Sequence, residues 1–496
     1  GLEISESINA TVSPCTDFYD YVCHNWKARH PVPDYMPSYG HLWRIRDELT
    51  LKLQDLLGNL SQNEKNQTLQ DKIGLAYQSC LQNSSETEQR FQLLNTLNNF
   101  DICGWPLNNT ESASNWANIY RKIRIGADLG IIFTIDVDTY LKNSTIRAIS
   151  MDYPKFVPSL YQIANAKKEE DNATNAYKTF IRKTVRLFSN STDNTTLEQI
   201  ADEIFDFEVN LTTPFASIDY NYSFDIYGNY SNENYSYDYE YYTEDTSTET
   251  PGDVTSPPTS HEPSTKLKDI DTRLNSSGWL QLIKDIFRDI SVNLTGEEDV
   301  NVWNEYFLKN AMNLINRTSP VIVSNYFGWK LLYKLGPMVS DEIRQLNLDF
   351  NKVWRGLKGE EPQWRRCVNA INDPYDPIIS YGLGDLYIKQ YFNSSEKKDV
   401  ENLALQIKNI SRTIINSTIW MNETTKGKAQ LKLNNTVFKM GYPSDMTNKT
   451  LLENMYQPVG NITRNDTFIE IYLKFRNSNA IHKLKKIHTA YNRTEE

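Results

Sequence analysis

The chain has 496 residues, a formal net charge of −11 and 39% hydrophobic residues. This length predicts about three domains or one very large one, and ten Trp, thirty Tyr and nineteen Phe suffice for folded cores. The acidic balance argues against nucleic acid as a partner, because a polyanion is bound by clustered Lys and Arg. Apolar runs such as Leu129–Phe133 are far shorter than the roughly 18–20 residues that cross a bilayer.

Asn-x-Ser/Thr sequons are unusually dense, with about 25 between Asn9 and Asn492. An occupied sequon needs a solvent-facing Asn in the secretory lumen, so we expect an extracellular chain, either secreted or the ectodomain of a membrane-anchored protein. Gly1 replaces an initiating Met and no signal segment follows, which predicts a processed or excised chain. The glycosylation candidates are Asn9, Asn59, Asn66, Asn83, Asn108, Asn143, Asn172, Asn275, Asn293, Asn316, Asn393, Asn409, Asn416, Asn434, Asn448 and Asn461.

Helical periodicity dominates the first 213 residues. After a Pro-punctuated turn at Pro31–Asp34, an amphipathic helix is predicted to begin near Ser38. Its apolar stripe is Leu42, Ile45, Leu49, Leu53 and Leu56. Further helices are predicted over 69–81, 88–97, 115–125, 175–188 and 197–209, and a strand over 130–137.

Residues 214–266 break this pattern. They are rich in Tyr, Asn, Ser and Thr and lack aliphatic periodicity, which predicts disorder or a long surface loop. Tyrosines alternate with acids over 237–245, a context that favours tyrosine sulfation. One hypothesis is a sulfated, anionic loop that binds cationic partners; the alternative is a glycosylated spacer without a partner.

Helical patterning returns at Trp279 and continues to the end of the chain. A second clear apolar stripe consists of Val400, Leu403, Ile407, Ile410 and Ile414. The sequence therefore predicts a mainly α fold with a minor β element and a low-complexity insertion.

The cysteine count is odd, which matters in an oxidising compartment. At least one of the five thiols lacks a partner within the chain. Either one free Cys is buried, or cysteines of this chain form disulfides with cysteines in a C-terminal segment that these residues do not include. The cysteines are Cys15, Cys23, Cys80, Cys103 and Cys367.

No recognisable catalytic constellation is present. A zinc peptidase of the His-Glu-x-x-His type places two imidazoles one helical turn apart with a glutamate as general base, and this motif is absent. His261-Glu262 precedes Pro263, so it cannot open a zinc-binding helix. Gly-x-Ser-x-Gly and phosphate-binding loops are absent as well.

The string Pro14-Cys-x-Asp-Phe-Tyr-x-Tyr-x-Cys-x-x-Trp26 resembles the N-terminal signature of the neprilysin and endothelin-converting-enzyme family of zinc endopeptidases. Three further blocks are similar to that family and follow in the family order. They are Tyr39–Leu49, then Trp364–Asn369 with Gly384–Tyr387, then Trp420–Ala429 with Gly441–Pro443. Four blocks in register over 14–443 make this resemblance specific.

The resemblance implies that most of the chain is a helical hood, which covers a peptidase cleft and admits only small peptides. It implies a strap toward the catalytic half (1–37), a first hood part (38–213), the insertion (214–266), a second hood part (267–445) and a connecting segment (446–496). Lys474–Ala490 resembles the connecting helix. In the family the thermolysin-like, zinc-binding half follows, so in this chain that domain is expected to be absent or only begun.

Residue roles follow from the same resemblance. Arg46 occupies the place of the neprilysin arginine that binds the C-terminal carboxylate of peptides, and a planar guanidinium suits that bidentate contact. From the sequence alone, the alternative is an exposed helical Arg near Asp47 and Asp55. The family pairs the equivalents of Cys80 and Cys367.

The equivalents of Cys15 and Cys23 pair with the catalytic half in the family, whereas Cys103 has no counterpart. Here Cys15 and Cys23 could bond each other, another chain or a separately supplied partner. They are therefore expected to find their usual partners only in the missing half.

Two functions remain open. In the first, the chain is the substrate-gating part of a neprilysin-like zinc metalloendopeptidase that hydrolyses small extracellular peptides. The catalytic domain in cis would then hold the zinc, while this chain holds no cofactor and is inactive alone. In the second, it is a complete but catalytically dead secreted glycoprotein that binds peptides or a protein partner.

Overall fold

The computed structural model describes residues 1–107, 113–156, 163, 171–189, 193–213, 264–373, 376–392 and 394–491. Its fold is mainly α-helical with one small sheet, as the sequence predicts. The insertion and its sulfation hypothesis lie outside the described residues, except for Ser264–Lys266. Those three residues form a strand, so the insertion ends earlier than the composition suggested.

The described helices are α1 (Leu2–Ser7), α2 (Phe18–Arg29), α3 (His41–Gly58), α4 (Leu69–Leu81), α5 (Glu86–Asn99), α6 (Trp116–Gly126), α7 (Asn172–Phe188), α8 (Asn194–Thr212), α9 (Ile270–Arg273), α10 (Trp279–Asp289), α11 (Glu305–Arg317), α12 (Pro320–Val339), α13 (Asp341–Arg355), α14 (Gln363–Ile371), α15 (Ser380–Tyr391), α16 (Ser394–Ser417), α17 (Glu423–Asn434), α18 (Lys449–Met455) and α19 (Phe468–Lys485). The described strands are β1 (Thr134–Tyr140), β2 (Asn143–Asp152), β3 (Ser264–Lys266) and β4 (Asp299–Val302).

Polar N-caps explain where the predicted helices begin. Helix α4 has the predicted bounds, and Thr68 and Asp71 form a reciprocal capping box at its start. Helices α7 and α8 begin three residues before their apolar stripes, because Asp171 and Asp193 cap them there. The apolar pattern thus locates each helix, and the cap fixes its first residue.

The C-terminal helix differs from the prediction over 474–490. A capping box between Thr467 and Glu470 begins α19 at Phe468, and a short 3-10 turn replaces the α-helix after Lys485. The predicted helix is therefore correct in type but lies about one and a half turns too late along the chain.

The sheet has the strand order β1-β2-β4-β3. β1 and β2 form an antiparallel hairpin, β2 pairs parallel with β4, and β3 pairs antiparallel with β4. The predicted strand over 130–137 begins only at Thr134, because the chain turns tightly at Gly130. A Cβ on Gly130 would lie 2.5 Å from the carbonyl oxygen of Phe133, so only glycine fits there.

A fully buried carboxylate lies between α7, α8 and α12. Glu208 accepts hydrogen bonds from the Tyr177 hydroxyl at 2.8 Å and from Lys330 Nζ at 2.7 Å. Trp329 Nε1 in turn donates to the Tyr177 hydroxyl at 2.9 Å. Because its charge is paired and its oxygens are bonded, Glu208 is tolerated in the core and fixes the packing of three helices.

Asp71→Asn is expected to lower the free energy of unfolding by about 2–3 kcal/mol at neutral pH. The buried Asp71 carboxylate accepts from Ser61 Oγ (2.6 Å), from Asn63 N and Nδ2 (3.1 and 2.9 Å), and from Thr68 N and Oγ1 (2.9 and 2.6 Å). Burial alone would raise its pKa, but these hydrogen bonds outweigh burial and hold the pKa well below its usual range.

Because the folded pKa of Asp71 lies below the unfolded one, this stabilisation is complete above about pH 4 and is lost as the pH falls further. The difference in unfolding free energy between wild type and variant, measured by urea titration, should therefore shrink steadily as the pH falls from about 4 to 2. Asp349→Asn, at an exposed position of α13, serves as the control. A difference that stays constant down to pH 2 would show that the Asp71 charge is not what stabilises the loop.

Candidate functional site

Helix α3 presents two different surfaces along its length. Its second half packs into the core through Leu53, Leu56 and Leu57. In its first turns Leu42 and Ile45 are 76% and 57% exposed. The predicted apolar stripe is thus wrong for these two residues, because the hydrophobic core contacts α3 only from Leu49 onward.

Arg46 lies on this exposed half of α3. Its side chain is half-buried, and the guanidinium carbon lies 5.3 Å from the ring centre of Trp43. Within the described residues Arg46 forms no ion pair or hydrogen bond through its side chain, since Asp47 pairs with Arg365 and Asp55 accepts from the Tyr391 hydroxyl. A guanidinium that rests on an aromatic ring beside exposed apolar side chains can bind an anion.

A buried ionic cluster holds α3 against α14. Arg365 is buried and donates to Asp47 Oδ1 and, at 2.9 Å, to Glu361 Oε1. The Tyr39 hydroxyl donates to Asp47 Oδ2 at 2.8 Å, and Asn369 Nδ2 donates to Glu361 Oε1 at 2.7 Å. These contacts bind both carboxylates and hold Asp47, the residue directly after Arg46 on α3, against α14.

Two pKa shifts reflect how closed this cluster is. Burial, aided by the hydrogen bond to Asp47, raises the pKa of Tyr39 to about 12. Burial also raises the pKa of Glu361, although Arg365, Arg366 and Arg46 oppose that rise. Arg46 therefore interacts electrostatically with the cluster, but within the described residues its side chain forms no hydrogen bond or ion pair with it.

A disulfide joins Cys80 of α4 to Cys367 of α14, the pair that the family resemblance implied. Their Cα atoms are 5.7 Å apart. Together with the ionic cluster, this bridge makes α3, α4 and α14 one frame. Cys15 and Cys103 are exposed and Cys23 is half-buried, and none of these three is bonded to another.

The N-terminal strap packs on the start of α3. The buried Trp26 ring lies between the His30 and His41 imidazoles, with ring centres 4.5 Å from each. At the start of α2, Phe18 and Tyr19 are exposed. The blocks 14–26, 39–49 and 364–369 are therefore neighbours in space, although more than 300 residues separate the first from the last.

The Arg365–Asp47 contact was not anticipated from the sequence. Asp47 and Arg365 each lie in a family-like block, and their opposite charges were the sequence feature that could have suggested the contact. Charge alone could not select this pair, because Arg366, Glu360 and Glu361 lie beside them in the chain.

The candidate sequons lie on the surface. Of those within the described residues, all asparagines are exposed except Asn9, which is half-buried. Asn108 and Asn393 fall outside the described residues. This exposure is what carbohydrate attachment requires.

The described residues contain no group of three or more His, Cys, Asp or Glu side chains placed to hold a metal ion. They therefore offer no donor set that fits zinc. No helix in this part of the chain is long and apolar enough to cross a membrane.

The family model of peptidase family M13 matches residues 14–443, most of the chain. The chain belongs to this family, whose members include neprilysin and endothelin-converting enzyme 1. It is 24% identical to neprilysin-1 of Trittame loki and 25% identical to neprilysin of Homo sapiens, covering 93% and 97% of this chain. It spans only 59% and 61% of those relatives.

Solved structures show the same fold. The zinc metalloprotease Zmp1 of Mycobacterium tuberculosis, in complex with an inhibitor, matches 99% of this chain with a TM-score of 0.72 and 17% sequence identity. This chain covers 65% of that protein. The match confirms the helical architecture that the sequence predicted.

Proposed function

We propose that this chain is the N-terminal, substrate-gating part of a neprilysin-like zinc metalloendopeptidase that hydrolyses small extracellular peptides. Membership of family M13 supports the reaction class. Hydrolysis and zinc binding belong, in this proposal, to the further length that the relatives possess. This chain contributes the wall that limits access and one contact to the substrate.

Arg46 is the observation that carries this proposal. Its guanidinium is free of ion pairs within the described residues, and the bridged α3–α4–α14 frame holds it in place. Exposed Leu42 and Ile45 flank it, so the surface combines an anion-binding group with apolar contacts. A short peptide with a free C-terminus and apolar side chains has the matching chemistry.

The test is to express the full open reading frame beside residues 1–496 and to assay both with a quenched fluorescent peptide. We expect hydrolysis, lost on chelation, from the full protein only. An open reading frame that ends at Glu496 would exclude this function. It would favour the second function, a catalytically dead secreted glycoprotein. In that case residues 1–496 should bind the labelled peptide without cleaving it.

Arg46→Ala in the full protein is expected to raise KM about 10- to 100-fold for peptides with a free C-terminus, since a charge-assisted bidentate contact is lost. C-terminally amidated peptides should be affected little, and Arg46→Lys should be intermediate. The matched control is Arg44→Ala, because Arg44 pairs with Glu3 and Glu48. Equal effects on acid and amide substrates would show that Arg46 does not bind the carboxylate.

We also propose an extracellular location, supported by the exposed sequons. Treatment of the native protein with an N-glycosidase should lower its mass by several glycan units. A native mass that this treatment leaves unchanged would contradict the proposal.

A further inference from the structure

Trp43 is a half-buried tryptophan that the hydrophobic core does not account for. It lies in the first turn of α3, whereas the core contacts this helix only from Leu49 onward. Within the described residues its indole stacks on no other aromatic ring. Its one ring contact there is with Arg46, whose guanidinium carbon lies 5.3 Å from the ring centre. The indole is therefore placed to act on Arg46 rather than to fill the core.

Arg46 lies between this ring and an exposed apolar surface. At about 100° per residue, Leu42 lies about 40° from Arg46 on one side of α3, and Trp43 lies about 60° from it on the other. Leu42 is 76% exposed, and Ile45, beyond it on the same side, is 57% exposed. The indole thus lies on the side of Arg46 that faces away from the apolar surface, where it does not obstruct a peptide bound there.

One carboxylate of the ionic cluster competes for Arg46. Within the described residues the Glu361 carboxylate accepts two hydrogen bonds, from Arg365 Nε at 2.9 Å and from Asn369 Nδ2 at 2.7 Å, and both end on Oε1. Oε2 has no donor in this part of the chain. Arg46 opposes the rise of the Glu361 pKa, so the two charges interact although they form no ion pair. A guanidinium that turned to this oxygen would be lost to a substrate.

Aromatic rings and carboxylates bind different parts of a guanidinium. A ring contacts its planar face, whereas a carboxylate accepts from the N–H groups along its edge. Trp43 can therefore hold Arg46 without using the donors that a peptide carboxylate needs. Glu361 would use those same donors.

We propose that Trp43 is a positioning residue, which holds the Arg46 guanidinium away from Glu361 and leaves its N–H groups to the C-terminal carboxylate of a peptide. This inference rests on the proposed function, because it requires Arg46 to bind that carboxylate. The preference for peptides with a free C-terminus then depends on an aromatic ring at position 43 and not on Arg46 alone.

Trp43→Leu in the full protein removes the ring but keeps an apolar side chain. We expect KM for a peptide with a free C-terminus to rise about 3- to 10-fold at unchanged kcat, because a cation–π contact is lost. The amidated form of the same peptide should show no such rise. Trp43→Phe should restore most of the lost affinity, since a phenyl ring also binds a cation.

Glu361→Gln tests the competition for Arg46. Glutamine keeps an oxygen for Arg365 but carries no charge that attracts a second guanidinium. The effect of Trp43→Leu on KM should therefore be smaller in the Glu361→Gln background than in wild type, a coupling that a double-mutant cycle measures. An effect of equal size in both backgrounds would overturn the inference.

Trp354→Leu is the matched control, because Trp354 of α13 is also half-buried and its ring centre lies 5.7 Å from the guanidinium carbon of Arg355. It should leave the ratio of the two KM values, acid to amide, as in wild type. If Trp43→Leu raises both KM values equally, or if Trp43→Phe does not reverse the rise, the inference fails. A carboxylate-selective effect of Arg46→Ala would then leave the proposed function standing.

An open reading frame that ends at Glu496 would exclude the proposed function, and the comparison is then made on binding. The probe is the same fluorescent peptide, as acid and as amide, and its Kd replaces KM. Weaker binding of the acid alone in Trp43→Leu would support the positioning role of Trp43 without any hydrolysis. The absence of an acid-selective loss would overturn it.

Discussion

Replacing both Cys80 and Cys367 by alanine is expected to lower the free energy of unfolding by about 5 kcal/mol. The bridge joins residues 287 apart in sequence. In the chain-entropy model, a cross-link stabilises by restricting the unfolded chain, and the effect grows with the logarithm of the loop length. Guanidinium unfolding, followed by tryptophan fluorescence and far-UV circular dichroism, measures the loss as a lower midpoint.

The double variant should still fold, because the Asp47–Arg365–Glu361 cluster keeps α14 on α3. Cys103→Ser is the matched control: its thiol is exposed and free, so the change should stay within about 0.5 kcal/mol. Under oxidising conditions, equal midpoints for the double variant and wild type would show that the bridge does not constrain the unfolded chain.

Helices with a continuous buried face were readily predicted from the sequence. In α4 the apolar spacing and the cap agree, so propensity, pattern and tertiary packing select the same segment. The strands β2, β3 and β4 were not predicted. β3 and β4 have only three and four residues, which is too short to show an alternating apolar pattern. β2 is exposed over its first residues, so it lacks that pattern there.

Burial was harder to predict than helicity. The stripes of α3 and α16 both recur in steps of three and four, yet α3 buries Leu53 and Leu56 whereas α16 exposes Ile407 and Ile410. Local periodicity states which side chains share a face. It cannot state what covers that face, because the partner is set by chain topology.

The candidate site, too, was predictable from the sequence only in part. Resemblance selected Arg46 and the Cys80–Cys367 pair, since each stands in a family-like block. The frame that positions Arg46 depends on contacts across 318 residues between Asp47 and Arg365, and such pairings require the folded structure.

A second long-range frame attaches α19 to the core. Arg476 is buried and donates through Nε to the Ala127 carbonyl (2.8 Å), through Nη2 to the Asp128 carbonyl (2.8 Å) and through Nη1 to the Asp376 carboxylate. Arg124, also buried, donates to Asp128 Oδ1 at 2.6 Å. The guanidinium of Arg476 thus ties α19 to the end of α6 and to the loop before α15.

Arg476→Met is expected to lower the free energy of unfolding by about 3–5 kcal/mol. It leaves the Ala127 and Asp128 carbonyls without their donor and removes one of the two cations that pair with Asp376, Lys334 being the other. Burial raises the pKa of Asp376, but Arg476 and Lys334 outweigh burial and hold that pKa below its usual range. The stabilisation is therefore present above about pH 4 and is lost as the pH falls below it. The difference between wild type and variant should shrink in acid but not vanish, because the hydrogen bonds from Arg476 to the two carbonyls do not titrate; urea unfolding at several pH values measures this.

Arg464→Met is the control, since Arg464 is exposed and only 3.7 Å from Glu64, a surface pair of little value. In the proposed enzyme α19 leads into the catalytic half, so its attachment sets how that half is held. Amide exchange should accordingly speed up over 468–485 in Arg476→Met and remain slow in the control. Unchanged exchange in α19 would mean that apolar packing of Phe468, Ile471 and Phe475 alone holds the helix, and that the buried arginine is not its anchor.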